Sequence, residues 1–367
     1  MRSPILFLTV LIVGGFLVLA TSLSTPRETP DDFQRRIMPG TIDPLPKDPD
    51  LTAEQLSLQE QLRTIGEGFE GKAGIAVAEA SNLATMSYEG GTPFPQQSVS
   101  KLWVALTALD LADEGALALD EMVTIDNDDL TVFHQPIRNI VKSKGRFTGD
   151  YAELLHRAIT QSDNTANDRL LRRVGGPQAV EGFLRRKRIE GVQFGTDERT
   201  KQSAIAGLEW RQSYSQGNAF YEARDRVPGA DRRRAFDAYL ADPMDGAKAA
   251  GIAKALARLA RGDLLSPAST KLILDTMGQT KSGPRRLKGA VPEGWTFGHK
   301  TGTGQYFDGT QSGYNDVGIL TAPDGTIYTM AVMIGSTRTS YAARMEMMQS
   351  VTRAVVAYHK AHSRNPG

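Results

Sequence analysis

The stretch that decides the fold is Gln97-Ser98-Val99-Ser100-Lys101-Leu102-Trp103, a polar turn that runs into a long apolar segment. If a helix begins in this turn, Ser98 and Lys101 lie one turn apart on the same face. A serine hydroxyl becomes a strong nucleophile when a base takes its proton, and a lysine in a dry site can be that base because burial lowers its pKa. The pair therefore predicts a nucleophile and its base, although Ser-x-x-Lys also arises by chance in chains of this length.

The helix that follows this turn carries apolar side chains on all of its faces. Its apolar residues include Leu102, Trp103, Ala105, Leu106, Leu109 and Leu111. Since a surface helix keeps one polar face, this pattern predicts a helix buried in the core. The N-terminus of such a helix would also direct backbone N–H groups towards Ser98, where a developing oxyanion could use them.

The composition is that of an ordinary globular protein, with 367 residues that are 40% hydrophobic and 23% charged. The net charge of +1 gives no reason to expect nucleic acid as a partner. The chain has no cysteine, which excludes disulfides, thiolate catalysis and zinc–thiolate sites. Its five histidines show no paired metal-ligand spacing, and we expect neither a metal nor a cofactor.

The first part of the chain divides into an apolar segment and a proline-rich one. Residues 1–20 contain one arginine, a continuous apolar run and a small-residue ending, as a secretory signal peptide does. The run is short for a spanning helix, and a signal peptide and an uncleaved membrane anchor both remain open. Residues 21–50 are polar and rich in proline, which predicts a linker. We expect an exported, periplasmic protein, which contacts a membrane only if the N-terminal segment is uncleaved and then only through residues 5–20.

Strands are predicted at both ends of the remaining chain and helices between them. A hairpin is predicted at 74–88, and further strands follow residue 295. Helical periodicity dominates the region of about 112–285, with an atypical insertion at 203–241. We therefore predict an α+β fold: an antiparallel sheet built from N- and C-terminal segments, flanked by helices, with an inserted all-helical domain. The catalytic domain would span 51–367.

Three short motifs occur along the chain in a set order. They are Ser98-Val99-Ser100-Lys101, Ser162-Asp163-Asn164 and Lys300-Thr301-Gly302. A buried helix under the first motif and a strand that carries the last make the set specific. On these residues the chain, from roughly Leu51 to His362, resembles the class A β-lactamases of the serine β-lactamase and penicillin-binding protein superfamily. Further similar stretches are Gly175-Gly176-Pro177, Pro292-Glu293-Gly294-Trp295 and Asn315-Asp316-Val317-Gly318.

The resemblance implies the parts of an acyl transfer to serine. Ser98 would attack the carbonyl of a β-lactam ring, and Lys101 would accept its proton, directly or through water. Ser162 would pass a proton to the departing ring nitrogen. The backbone N–H groups of Ser98 and Thr303 would form the oxyanion hole.

The resemblance also implies a substrate-binding wall that holds the side-chain amide and the carboxylate of the substrate. The residues of this wall would be Asn164, Lys300, Thr301, Gly302 and Thr303. His134 stands where the family has a tyrosine at the entrance of the site, and it could equally be an exposed loop histidine. The arginine that often supports the carboxylate clamp is not placed by the sequence, although Arg338 is close to the predicted sheet along the chain.

Hydrolysis of the acyl-enzyme needs a second base, which in the family is a glutamate on a loop. Glu198 lies 36 residues beyond Ser162, which is the family spacing. Its surroundings differ, because Arg199 replaces a proline and Gln202 replaces an asparagine. The arginine that normally braces the loop is also missing, so the loop must be braced differently. The alternative is that Glu198 is an exposed loop carboxylate.

Three functions remain open at this point. The resemblance favours a serine β-lactamase that acts on a small-molecule β-lactam and works as a monomer. A penicillin-binding peptidase that acts on D-alanyl peptides of the cell wall has the same acylation parts without an efficient deacylating water. An exported sensor of β-lactams or wall fragments would keep the residues for capture alone.

Overall fold

The computed structural model describes residues 49–362. The predicted signal peptide or anchor at 1–20 lies outside the described residues, and so does the predicted linker at 21–50 apart from its last two positions. Within the described part, no helix is both long and apolar enough to span a bilayer.

The described chain forms ten strands and twelve α-helices. The strands are β1 (Gly71–Glu79), β2 (Thr85–Tyr88), β3 (Pro93–Pro95), β4 (Met122–Ile125), β5 (Phe147–Asp150), β6 (Gly246–Lys248), β7 (Thr296–Thr303), β8 (Tyr306–Phe307), β9 (Thr310–Thr321) and β10 (Ile327–Thr337). The helices are α1 (Ala53–Glu67), α2 (Lys101–Asp113), α3 (Ile137–Lys144), α4 (Tyr151–Thr160), α5 (Asn164–Arg173), α6 (Gly176–Arg186), α7 (Glu198–Ile205), α8 (Ala219–Asp225), α9 (Gly229–Ala241), α10 (Ala249–Ala260), α11 (Pro267–Gly278) and α12 (Tyr341–His362). Short 3₁₀ helices lie at Gln97–Ser100, Gln212–Ser215 and Leu287–Ala290.

The central sheet is antiparallel and joins the two ends of the described chain. Its strand order is β2-β1-β10-β9-β7, with β8 paired to β9. The register places Ala76 opposite Ala331 and Lys300 opposite Val317. An N-terminal hairpin therefore continues directly into three C-terminal strands, which confirms the predicted α+β fold with helices inserted between the two halves of the sheet.

Helices cover both faces of this sheet. On one face, α1 and α12 bury apolar side chains such as Leu62 and Val351 against the strands. The other face packs against a larger core that contains α2 and α10. Trp103 and its neighbours on α2 have no solvent exposure, which confirms the prediction of a buried helix. The same burial holds the residues at the start of α2 in one place.

The α-helix begins three residues later than the motif suggested. Residues Gln97–Ser100 form a 3₁₀ turn, and the α-helical hydrogen bonds begin at Lys101. Gln97, at the start of this turn, has a φ of 54°, which lies outside the right-handed α-helical region. It is held there by Asp245, a residue distant in the sequence. Ser98 and Lys101 nevertheless share a face, because a 3₁₀ helix has three residues per turn.

The insertion at 203–241 folds into short helices that pack at two places. Its first part joins an aromatic cluster in which the Phe220 and Phe133 ring centroids are 4.9 Å apart. In its second part, the ring centroid of Phe236 lies 5.6 Å from that of Phe307, a residue of the hairpin after β7. The insertion therefore contacts the loop before α3 as well as the β8–β9 hairpin.

The insertion carries a basic run, Arg232-Arg233-Arg234, which we expect from its composition to form a solvated helix face but which does so only in part. The side chain of Arg234 is 73% exposed, as expected for such a face. The guanidinium groups of Arg232 and Arg233, however, lie 4.4 and 4.6 Å from the centre of the Phe307 ring. They stack on the aromatic side chain, which is favourable for arginine.

Candidate active site

The turn that carries Ser98 is held in place by hydrogen bonds to a buried aspartate. Asp245 accepts a hydrogen bond from the backbone N–H of Gln97 at 2.9 Å. The side chain of Gln97 donates to the Tyr239 hydroxyl at 2.7 Å, and that hydroxyl donates to Asp245. Because a positive φ at a non-glycine residue persists only where its surroundings hold it, these bonds account for the conformation of the turn.

Gly302 allows strand β7 to lie directly against this turn. A Cβ atom at this position would come within 2.3 Å of the Gln96 carbonyl oxygen and 3.3 Å of Val99 Cγ2. Any larger residue would push the strand and the turn apart. The geometry therefore gives Gly302 a spacing role, which brings the end of β7 beside Ser98.

Lys101 lies between the serine and the loop glutamate. Its ammonium group donates to Ser98 Oγ at 3.0 Å and to Glu198 Oε1 at 2.7 Å. Lys101 is fully buried, while Ser98 is half-buried at the surface of the cleft. Burial lowers the pKa of Lys101, and the charge of Lys201 lowers it further against the opposing attraction of Glu198. A lysine in this state can accept the serine proton.

Glu198 is a buried residue, and the alternative of an exposed loop carboxylate is wrong. Its exposed fraction is 3%. Gln202 donates to Glu198 Oε2 at 3.2 Å, and the Glu198 N–H donates to Asp168 at 3.2 Å. Burial alone would raise the pKa of Glu198, but the charges of Lys101 and Lys201 outweigh it and hold that pKa well below its usual value. The group is therefore an ionised carboxylate beside Ser98 and Lys101.

The segment that carries Glu198 is held in place by contacts other than those of the family's bracing arginine, which this chain lacks. Arg199, in the place of the family's proline, donates to the backbone carbonyls of Asp128 and Asp129. Gln202, in the place of the asparagine, also donates to the Gln97 side chain at 3.0 Å. These contacts hold the first turns of α7 against two neighbouring segments. The length of the loop therefore does not displace its glutamate.

The second and third motifs meet on the opposite side of the cleft. Lys300 donates to Ser162 Oγ at 2.9 Å and to the Thr301 carbonyl at 2.9 Å. Ser162 has a φ of 58°, which turns the chain before α5. Burial holds the pKa of Lys300 well below its usual value, and repulsion by Lys101 and Arg286 acts in the same direction. Lys101 and Lys300 therefore lie in one cleft, close enough for each to affect the charge of the other.

Asn164 and His134 lie together at the rim. The Asn164 side-chain amide donates to the Val132 carbonyl at 2.8 Å, and the backbone N–H of Asn164 donates to the His134 carbonyl at 3.0 Å. The His134 ring is exposed and its Nε2 lies 2.8 Å from the Gln161 carbonyl. His134 thus contacts the segment that carries Ser162 and Asn164.

An arginine that the sequence did not reveal supports the end of β7. Arg286 donates to Thr303 Oγ1 at 2.6 Å and to the Gly302 carbonyl at 2.9 Å. Its guanidinium lies 3.8 Å from the centre of the Tyr314 ring. Arg338, the arginine that the sequence offered, is 69% exposed and binds the β8–β9 turn instead. No motif surrounds Arg286, so its place could not be read from the sequence.

Asp168 is a buried carboxyl beside the Glu198 backbone. Its Oδ2 has no hydrogen-bond partner among residues 49–362. Burial, together with repulsion by Asp197 and Glu198, raises the pKa of Asp168 to about 7. The folded protein therefore prefers this group protonated, whereas in the unfolded chain it ionises near pH 4.

We expect Asp168→Asn to make the protein more stable at neutral pH. Between about pH 4 and 7 the folded state holds a proton that the unfolded state has lost, so the wild type loses stability as the pH rises, by up to about 1.4 kcal/mol per pH unit. Asparagine keeps the acceptor for the Glu198 N–H and carries no charge. Urea unfolding at pH 5 and pH 8 measures the effect. A stability difference between the two proteins that is equal at both pH values would contradict it.

A serine nucleophile, two buried lysines, an ionised carboxylate and a hydroxyl-lined wall define a serine hydrolase that works through an acyl-enzyme. Comparison with known sequences agrees with this class. A family model described as the β-lactamase enzyme family matches residues 57–359. The chain therefore belongs to the β-lactamase enzyme family, as the three motifs predicted.

Individual relatives are similar over most of their length. The extended-spectrum β-lactamase PER-1 of Pseudomonas aeruginosa is 28% identical over 305 residues, which cover 82% of this chain and 87% of PER-1. The β-lactamase VEB-1 of the same species is 23% identical and covers 84% of this chain and 92% of its own. The chain thus spans nearly the whole of these relatives.

Solved structures share the fold. A β-lactamase from Chitinophaga pinensis superimposes with a TM-score of 0.67 at 26% identity, over 83% of this chain and 99% of its own. An ancestral class A β-lactamase gives a TM-score of 0.62 at 29% identity, over 82% and 99%. TLA-1 extended-spectrum β-lactamase, at 22% identity and a TM-score of 0.68 over 83% and 99%, shows the fold alone.

Proposed function

We propose that this chain hydrolyses the amide bond of a β-lactam ring through an acyl-enzyme on Ser98. The observation that carries the proposal is the position of Lys101, whose ammonium group contacts both Ser98 Oγ at 3.0 Å and Glu198 Oε1 at 2.7 Å. One lysine thus links the nucleophile of the first step to the base of the second. The β-lactamase relatives support the substrate class.

Acylation begins when Lys101, in its neutral form, takes the proton of Ser98. The serine oxygen attacks the ring carbonyl, and the ring C–N bond breaks as the ester forms. Ser162, which is hydrogen-bonded to Lys300, gives its proton to the departing nitrogen. Ser162 then takes up the proton that Lys101 received from Ser98, so that Lys101 is neutral again. The backbone N–H groups of Ser98 and Thr303 stabilise the oxyanion, a contribution worth about 10²–10³ in rate for one donor.

Deacylation uses the ionised Glu198 as the base. It takes a proton from a water molecule whose oxygen attacks the ester carbonyl, and the C–O bond to Ser98 breaks. The proton returns to the serine oxygen, which restores the free enzyme. Gln202, at 3.2 Å from Glu198 Oε2, orients the carboxylate in this step.

The substrate carboxylate binds to the wall at the end of β7. Lys300 supplies hydrogen-bond donors, and the bound carboxylate favours its charged form by attraction. Thr301 and Thr303 supply hydroxyl groups, and Gly302 brings the strand close to Ser98. Thr301 is oriented by a 2.7 Å hydrogen bond to Ser282, and Thr303 by Arg286. At the rim, Asn164 binds the side-chain amide of the substrate.

The burial of Glu198 beside Lys101 also argues against the two alternative functions. A wall peptidase or a sensor needs acylation but no base aimed at the ester. Here an ionised carboxylate is buried at the nucleophile and held by several hydrogen bonds, which would be costly to keep without a use. We further propose that the protein is exported to the periplasm and acts there as a monomer, as its family resemblance implies.

We expect Arg286→Ala to raise the KM for a β-lactam roughly 10-fold, since a hydrogen bond to a charged donor contributes about 1.5–3 kcal/mol, with a smaller change in kcat. Without the guanidinium, the Thr303 hydroxyl rotates freely and a positive charge near the carboxylate is lost. Steady-state kinetics measure the effect. Arg338→Ala removes an exposed arginine and is the matched control. An unchanged KM in Arg286→Ala, or an equal rise in the control, would count against this role.

The test of the proposed function follows hydrolysis of a chromogenic cephalosporin by the purified protein, with intact mass taken during the reaction. We expect multiple turnovers and a transient adduct, and neither in Ser98→Ala. A single equivalent of stable adduct in the wild type would instead support a wall peptidase or a sensor.

A further inference from the structure

A second buried lysine contacts the proposed deacylating base. Lys201 lies on α7, one turn after Glu198, and its side chain is 1% exposed. Its Nζ is 3.3 Å from Glu198 Oε1 and 3.2 Å from Asp245 Oδ2. It also donates to the Gln97 carbonyl at 3.3 Å. None of the motifs includes this residue.

Lys201 joins the loop of the base to the turn of the nucleophile. Lys201 and Glu198 lie on the same helix. Gln97 directly precedes Ser98, and Asp245 accepts a hydrogen bond from the backbone N–H of Gln97. One ammonium group therefore contacts both segments whose relative position decides whether water can reach the ester. A displacement of about 1 Å in such a site can reduce the rate roughly 100-fold.

Two ammonium groups share one oxygen of the base. Lys101 and Lys201 approach Glu198 Oε1 from α2 and α7, at 2.7 and 3.3 Å. The other oxygen is held by Gln202. During acylation Lys101 accepts and returns a proton, so its own attraction to Glu198 changes within each cycle. Lys201 does not exchange a proton with Ser98, so its contact with the Glu198 carboxylate can remain constant through the cycle.

Asp245 allows this extra cation to be buried. It is fully buried and pairs with Lys201, so the ammonium charge is balanced inside the protein. Burial alone would lower the pKa of Lys201, but Glu198 and Asp245 hold that pKa above its usual value. Lys201 therefore stays protonated and takes no part in proton transfer.

We propose that Lys201 is a positioning residue for hydrolysis of the acyl-enzyme: it holds the Glu198 carboxylate in place for the attacking water while Lys101 serves Ser98. This inference rests on the proposed function. The water proton still goes to Glu198 and then to the serine oxygen, and Lys201 neither gains nor loses a proton. Acylation, which depends on Lys101, does not require Lys201.

The test compares Lys201→Met with the double variant Lys201→Met/Asp245→Asn. In the single variant we expect turnover of a chromogenic cephalosporin to fall about 100-fold, and an adduct on Ser98 to accumulate in the intact mass. The rate of adduct formation should change far less. Because the single variant also leaves Asp245 buried and unpaired, we expect its thermal stability to fall.

The double variant separates positioning from charge balance. It removes both charges of the pair, and we expect it to recover thermal stability but still to accumulate the adduct. Recovery of turnover in the double variant would show that Lys201 only balances Asp245, and would overturn the inference. If the single variant does not fold, the double variant is compared with Asp245→Asn alone, which keeps Lys201 beside Glu198. The inference then requires that the adduct accumulates in the double variant and not in Asp245→Asn, and equal accumulation in both would overturn it.

Failure of this inference is distinct from failure of the proposed function. A wild type that turns over, together with variants that deacylate normally, contradicts only the role of Lys201. A wild type without turnover contradicts the proposed function and this inference with it.

Discussion

Replacing Glu198 by glutamine should stop the enzyme after a single equivalent of β-lactam. Glutamine fills the same volume and can accept the hydrogen bond from Lys101, but it cannot take a proton from water. Acylation of Ser98 should proceed, and the ester should then persist. We expect turnover to fall by about 10³, within the range of 10²–10⁴ that one general base contributes. The measurements are the burst amplitude with a chromogenic cephalosporin and the intact mass of the protein afterwards.

The matched control for this variant is Glu190→Gln, which changes an exposed carboxylate outside the cleft. We expect it to turn over like the wild type. Glu198→Gln that keeps most of its turnover would mean that another group activates the water. An inactive variant that forms no adduct would mean that Glu198 is needed for acylation.

Replacing Lys101 by methionine should have the opposite kinetic pattern. Its Nζ lies 3.0 Å from Ser98 Oγ, and methionine fills the space without accepting a proton. Glu198 keeps a positive partner in Lys201, 3.3 Å away, so its carboxylate should stay ionised. We expect acylation to slow by about 10²–10⁴, with no accumulation of adduct. Stopped-flow measurement of kcat/KM and the intact mass during turnover test this.

Lys271→Met is the control for the loss of a lysine. Lys271 is 76% exposed on α11 and forms an ion pair with Asp275, one helical turn away. Its kinetics should match those of the wild type. If Lys101→Met instead accumulates an adduct, as Glu198→Gln should, the lysine would serve deacylation and a different group would activate Ser98.

The sheet and the three motifs could be predicted because their signals are local. Strand periodicity, the apolar helix after Ser98 and the short motifs each lie within a few neighbouring residues, and the chain order of the motifs added specificity. The choice of Glu198 as the second base came from the spacing that the family resemblance implies. Its environment did not follow from this spacing, and the exposed alternative stayed open until the fold placed Lys101 and Gln202 around it.

The residues that the sequence missed are those whose partners are distant along the chain. Lys201 pairs with Asp245, 44 positions later, and Arg286 supports Thr303 from a segment without a motif. A lysine in a polar helix segment looks like a surface residue, because nothing nearby reveals the buried carboxylate that balances it. The late start of α2 was missed for the same reason, since Asp245 holds Gln97 from a remote position.

The two aromatic contacts of the 203–241 insertion, Phe220 with Phe133 and Phe236 with Phe307, should also slow hydrogen exchange of the backbone amides of α7. The insertion follows directly from α7, which carries Glu198. Because it packs on Phe133 at one place and on Phe307 at another, α7 is restrained by contacts with two separate parts of the protein. Opening it requires both aromatic contacts to separate together. The amide protons of α7 should therefore exchange with deuterium almost as slowly as those of the central strands, and only through cooperative unfolding. The catalytic loop would then belong to the most stable unit of the protein.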